Sequence, residues 1–147
     1  MSPDRSYVAR NNAERARLKA LVSRASDADL AKPMPAGWTV AAVLGHLAFW
    51  DQRIVTLIEA WESGAALPPI HGEDVDWIND AGKPFLLAMP ARQVAELAIA
   101  IAETVDRKVE AVPEALIEKN AAAGSPLNLD RAVHRKEHLD KIEHALK

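Results

Sequence analysis

Apolar residues recur at three- and four-residue steps along four stretches of the chain, the period of helices with one buried face. The plainest run is Val40, Val43, Leu44, Leu47, Trp50, Ile54, Leu57, Ile58 and Trp61. Thr39 can cap this helix, Trp38 can pack on Val43 as a hydrophobic staple, and Ser63-Gly64 ends it. A broken stripe of Val8, Leu18, Leu21, Val22 and Ala25 predicts an earlier helix from near Pro3 to Arg24. Ser2 is its expected cap, with Pro3 in the first helical position, where a missing N–H costs nothing. A third helix opens at Pro90 and is stopped by Pro113, with Val94, Leu97, Ala98, Ile101, Val105, Val109 and Val112 as its buried face. A fourth is expected from about Leu129 to Leu146.

The intervening segments carry turn residues. Asp27 to Gly37 reads as a loop holding Pro33, Pro35 and Gly37. Ala65 to Met89 reads as a long connection, broken at Pro68-Pro69 and Gly82-Lys83-Pro84, with a short helix at Asp74 to Asp80. Another connection passes through Gly124-Ser125-Pro126. No strand alternation, internal repeat or low-complexity tract is expected. The predicted fold class is all-α: one four-helix bundle spanning residues 1–147. The 25 residues from Ala65 to Met89 exceed what an antiparallel helix pair needs. They permit a long crossover connection between the second and third helices, which would then run parallel.

Composition narrows the chemistry. A chain of 147 residues, 49% hydrophobic and 27% charged, suits one soluble domain with one core. A net charge of -3 offers no broad basic surface, so neither nucleic acid nor an anionic membrane is an expected partner. Arg15, Arg17 and Lys19 are read as spread around a helix exterior, with Glu14 offsetting part of their charge. The absence of cysteine excludes disulfides, a protein thiol nucleophile and cysteine-type zinc sites. The polar opening Met1-Ser2-Pro3-Asp4-Arg5 is not expected to be a secretory signal. The longest charge-free stretch, Pro33 to Trp50, has too short an apolar helical part to span a bilayer. A cytoplasmic location is the default expectation.

The candidate chemistry lies in the histidines. His134 and His138 are four apart on the last helix, so they share a face one turn apart and can grip one divalent ion. His46 belongs to the inward stripe of the second helix and can supply a third nitrogen if those helices are neighbours. His144 falls off the face of His138, and His71 sits in a loop. Taken alone, a pair of histidines four apart is more often a solvated helix surface, and a lone His46 more often a satisfied core residue.

Two motifs add to this. Gly37-Trp38-Thr39-Val40 followed by His46-Leu47-Ala48, and the closing His134-Arg135-Lys136-Glu137-His138, resemble the DinB/YfiT-like superfamily in its G-W-T/S…H-L/V-A pattern and its terminal H-x-x-x-H helix. The resemblance extends over nearly the whole chain. It implies a four-helix bundle holding a divalent metal, zinc or nickel first, on His46, His134 and His138. It also implies a small-molecule substrate, and often a homodimer. The family includes S-transferases and isomerases that use a small thiol, proteins assigned as hydrolases, and members without an established activity.

The remaining candidates have competing readings. Trp50 and Arg53 share the His46 side of their helix and are the candidate substrate-binding residues, as pocket wall and carboxylate anchor. The plainer readings are a core tryptophan and a solvated arginine. Glu137 can be a general base or a surface charge, and Asp130 can orient His134 or favour a helix N-terminus. Asp51 is too far around its helix from His46 to be a ligand. Trp77 can cover the bundle mouth or anchor a loop, and Trp38 is read as a staple. Two functions follow: a metal-dependent enzyme activating water or a small thiol, or a non-catalytic bundle binding an apolar ligand or partner helix.

Overall fold

The computed structural model describes residues 2–68 and 70–147. Met1, and Pro69 of the Pro68-Pro69 pair, lie outside the described residues. Seven α-helices lie among them: α1 (Tyr7–Arg24), α2 (Asp27–Leu30), α3 (Val40–Glu62), α4 (Gly72–Ala88), α5 (Ala91–Glu110), α6 (Glu114–Ala122) and α7 (Ala132–Ala145). The long helices α1, α3, α5 and α7 form the bundle, which is the predicted fold class.

Side-chain contacts give the helix directions. Gly45 of α3 meets Val94 of α5, while Ile54, Leu57 and Trp61 pack with Val105, Val109 and Val112. Start lies with start and end with end, so α3 and α5 are parallel. Arg10, Arg17 and Arg24 of α1 meet Asp130, Asp140 and Glu143 in turn, so α1 and α7 are also parallel. Arg92 reaches back to the carbonyls of Val22 and Ala25, which sets α1 antiparallel to α5. The expected crossover is therefore present.

Its substance goes beyond the expected connection with a short helix at Asp74 to Asp80. The connection holds α4, a 17-residue helix running back along α3, with Trp50 bonded to Asn79 and Leu86 against Gly45. Gly82 and Pro84 argue against a helix by propensity. The missing Pro84 N–H leaves a carbonyl of the preceding turn without its helical partner, and Asp80, four residues before, is exposed to water. The half-buried residues Val75, Ile78, Gly82 and Leu86 recur at helical spacing, and this face turned to α3 outweighs the two breakers.

Other boundaries moved for local reasons. Helix α1 starts at Tyr7 rather than Pro3, because the Asp4 carboxylate accepts the Ser6 N–H and hydroxyl and makes a turn there. Helix α7 starts at Ala132 rather than Leu129. Buried Asn11 of α1 donates to the Leu129 carbonyl and accepts from the N–H groups of Arg131 and Ala132. Within the expected loop, α2 carries a Ser26/Asp29 capping box. A two-residue hairpin follows, β1 (Pro33–Met34) with β2 (Trp38–Thr39), a pairing too short to leave an alternation in the sequence. Its turn puts Ala36 and Gly37 at φ 60° and 78°. On α5, Leu97 faces solvent, and Ala95, Ala102 and Asp106 complete the buried face instead.

Thr39 caps α3 as expected, its hydroxyl accepting the Ala42 N–H at 3.1 Å. One position on α3 is closed to larger residues. A Cβ on Gly45 would lie 2.7 Å from Leu86 and 2.9 Å from Val94. Gly45→Val is expected to cost about 1–3 kcal/mol by overpacking, read as a lower urea midpoint with an unchanged slope. A wild-type midpoint would show that α4 yields at this point. Among the described residues, no helix is long and apolar enough to cross a membrane.

Candidate metal centre

The three predicted histidines meet. His46 comes from the second turn of α3, and His134 and His138 from one face of α7, which runs antiparallel to α3. Their ring centroids lie 5.0, 4.9 and 4.8 Å apart, with interplanar angles of 74°, 76° and 76°. This is a nearly threefold propeller of imidazoles. One nitrogen from each ring lies within 4.8 Å of the others, and the Nε2 atoms of His46 and His134 are 3.1 Å apart. Exposed His71 and His144 are not in the cluster.

Buried polar contacts hold this geometry. Just beneath the histidines, Asp51 of α3 accepts from Arg131 Nε at 2.8 Å and from Arg135 at 3.1 Å. Arg135, with no exposed side chain, forms a two-pronged bond to Asp106 of α5, both contacts at 2.8 Å. Arg15 of α1 adds a third contact to Asp106 at 2.8 Å. The five charges tie all four bundle helices together and fix α7 against α3.

Electrostatics keeps the imidazoles neutral. Burial, then the neighbouring His138, lowers the His46 pKa to about 4. Burial, then His138, His46, Arg131 and Arg135, lowers His134 to about 3. His138 is lowered as well, by burial first and by Lys141, with Glu137 opposing. Neutral imidazole is the ligand form.

The cluster opens into a cavity of about 1050 Å³. Trp50 and Arg53 line it, so the sequence reading placed both on the correct side of α3. Trp50 is half-buried wall rather than core, its Nε1–H donating to Asn79 Oδ1 at 2.7 Å. The Arg53 guanidinium lies 5.7 Å over the Trp50 ring and has no ion pair among the described residues. Burial, and secondarily Arg131, pulls its pKa below the usual guanidinium value. Trp38 does more than staple, because its ring meets His46 edge-on at 5.8 Å and lines the cavity.

The sequence matches the family described as the mycothiol maleylpyruvate isomerase N-terminal domain over residues 12–139. The chain belongs to this family, and with it to the DinB/YfiT-like superfamily. Searches of curated proteins and of solved structures returned no match.

The donor set fits the metal that the superfamily implies. Two imidazole nitrogens on one tetrahedral ion, each at about 2.0–2.1 Å, lie roughly 3.3 Å apart. The 3.1 Å between His46 and His134 is close to that spacing. The three-histidine group can therefore hold a divalent ion, and three protein ligands leave a coordination position open.

The other residues singled out in the sequence take the following places. Asp51 lies outside the three-histidine group and pairs with Arg131 and Arg135. Asp130 accepts the Ala132 N–H at the start of α7 and pairs with Arg10, so it is a helix-terminus residue and does not orient His134. Glu137 sits exposed at the cavity rim, paired with Lys141 at 3.3 Å. Trp77 is 60% exposed, donates to Asp74 and lines neither cavity described, so it does not cover the mouth. Arg15 and Arg17, read as exterior charges, point into contacts with α5 and α7.

Asn11, Asn79, Asp106, Arg131 and Arg135 were missed as site builders. A signal existed for two of them, Arg135 and Asp106. Arg135 takes a place in the stripe Ala132, Leu139, Ile142, and Asp51 and Asp106 fall within apolar runs. Charges at stripe positions on different helices call for one another.

Proposed function

We propose that the chain is a divalent-metal-dependent enzyme that uses a small thiol as nucleophile or carrier, in S-transfer or isomerisation. The observation that carries this reading is the nearly threefold cluster of His46, His134 and His138 at the wall of a large open cavity. The family's name, which refers to a mycothiol-dependent isomerase, favours a thiol over water.

Each residue has a task. The three neutral imidazoles hold the ion. When bound, such an ion lowers the pKa of a thiol or water ligand, so that a nucleophile exists near neutral pH. Trp50, braced by Asn79, forms a flat wall for the substrate. Arg53, spread over that wall and without an ion pair among the described residues, takes a carboxylate of the substrate in a two-pronged contact. Arg131 adds positive potential but is already committed to Asp51.

Elemental analysis of tag-free protein tests the reading. Close to one zinc or nickel ion per chain is expected, falling at least tenfold in His134→Ala/His138→Ala. Loaded protein should then catalyse thiol addition to a small electrophilic carboxylic acid. Hydrolysis without thiol dependence would replace the thiol by water. Protein that stays metal-free after reloading would leave a non-catalytic ligand-binding bundle.

A further inference from the structure

A second recess lies on the other side of His46, between α3 and α4, with a volume of about 240 Å³. Phe49, Ile78, Gly82, Phe85 and Leu86 supply its apolar walls. It shares Trp38, His46 and Asn79 with the large cavity, so the two spaces meet at the metal centre. Their characters differ. The large cavity carries Arg53, Arg131, Glu137 and Lys141, whereas Asn79 and His46 are the polar residues of the recess, both on the shared wall.

We propose that this recess is a specificity subsite, binding an uncharged aliphatic or single-ring aryl arm of a reactant held at the three-histidine centre. The inference rests on the proposed function for the centre, but the recess has its own physical basis. A dry apolar cavity of about 150 Å³ accepts benzene, so 240 Å³ accommodates a ring with a short substituent. Phe49 and Phe85 are 50% and 74% exposed, and an apolar arm lying between them covers surface that water otherwise wets. The position beside His46 explains why the arm belongs to a reactant rather than to a separate ligand. A molecule in the recess lies against His46, one of the three histidines of the centre.

Gly82 provides the test variant. It lines the recess in mid-helix, has no positive φ, and a Cβ there meets nothing within 4 Å. Gly82→Leu therefore adds a bulky side chain at the recess while leaving all three histidines in the sequence, and it raises helix propensity, so its melting temperature checks that it folds. Fluorobenzene binding to the protein as purified is measured by 19F NMR, with the Trp38 and Trp50 indole N–H signals locating it. Wild type is expected to bind and shift the Trp38 signal, and folded Gly82→Leu to bind at least tenfold more weakly. Equal binding by both, or none by wild type, overturns the subsite whatever the metal content.

The source of the arm is read separately on zinc-loaded protein, with thiols from ethanethiol to hexanethiol. Affinity rising with chain length in wild type, but flat in Gly82→Leu, assigns the recess to the thiol. Flat affinity in both, with fluorobenzene still in the recess, assigns it to the electrophile. If no thiol binds at any length while fluorobenzene does, the thiol reading of the centre fails and the apolar subsite stands.

Discussion

Asp106→Ala is expected to destabilise the fold by about 3–5 kcal/mol, as breaking a buried ion pair does. Its carboxylate is 2% exposed and faces Arg135, which is fully buried, and Arg15, which is 28% exposed. Burial alone would lower the Arg135 pKa, but Asp106 and Asp51 outweigh it and hold the guanidinium above its usual value. Removing Asp106 leaves Arg135 charged in the core with only Asp51 and the Asn11 carbonyl for partners. An arginine does not escape by deprotonating. Urea denaturation measures the loss, and thermal melting should fall by roughly 10 °C. Arg15→Ala, at the wet end of the network, should cost much less. The double change Asp106→Leu/Arg135→Met should recover most of the loss, because a matched apolar pair leaves neither charge stranded. A cost below about 1 kcal/mol for Asp106→Ala would mean that water or another group satisfies Arg135, and that the network does not clamp the bundle.

This network marks a boundary of what the sequence shows. The four bundle helices were legible because each carries an apolar stripe, and a stripe needs only local spacing to be recognised. His134 and His138 were legible for the same reason, since four residues on a helix is one turn. His46 required a neighbour, and the motif around Trp38 supplied it. What stayed hidden depends on contacts between residues distant in the chain. Asn11 sets the start of α7 from more than a hundred residues away, which no local cap rule anticipates. Helix α4 has Gly82 and Pro84 in its interior and no fully buried residue, so its stability comes from lying on α3. Asn79 and the recess wall were consequently out of reach, although both border the centre. Leu97 shows the converse error. Its spacing from Val94 fits a stripe, but Ala95 and Ala98 let α3 approach closely on another line, and Leu97 was left outside.

Metal-free protein should lose thermal stability as the pH falls from about 6.5 towards 4, through the three histidines. Their folded pKa values are depressed, His46 to about 4 and His134 to about 3, with His138 also lowered. In the unfolded chain they titrate near 6.5. Above that value both states hold them neutral, and their contribution to stability is fully present. Below it the unfolded chain takes up protons that the folded site refuses, because a charged imidazole there is desolvated and faces its neighbours. Each proton taken up steepens the loss by about 1.4 kcal/mol per pH unit, until the pH falls through the folded values. Carboxylates such as Asp140 and Glu143, held low mainly by Lys136 and Arg17 respectively, add their own loss at lower pH. The window from 6.5 to 5 therefore reports on the histidines. Melting curves of EDTA-treated wild type should slope downward across it, and those of His134→Ala/His138→Ala should slope less, with His46 alone of the three remaining. Zinc at about a thousandfold excess over its dissociation constant should add about 4 kcal/mol to wild type and little to the variant. The same low pKa values mean that protons compete weakly for the ligands, so the zinc increment should persist at pH 5.5. An equal slope in wild type and variant would show that the histidines charge freely in the folded state, and that the cluster is open to water rather than held neutral for a metal.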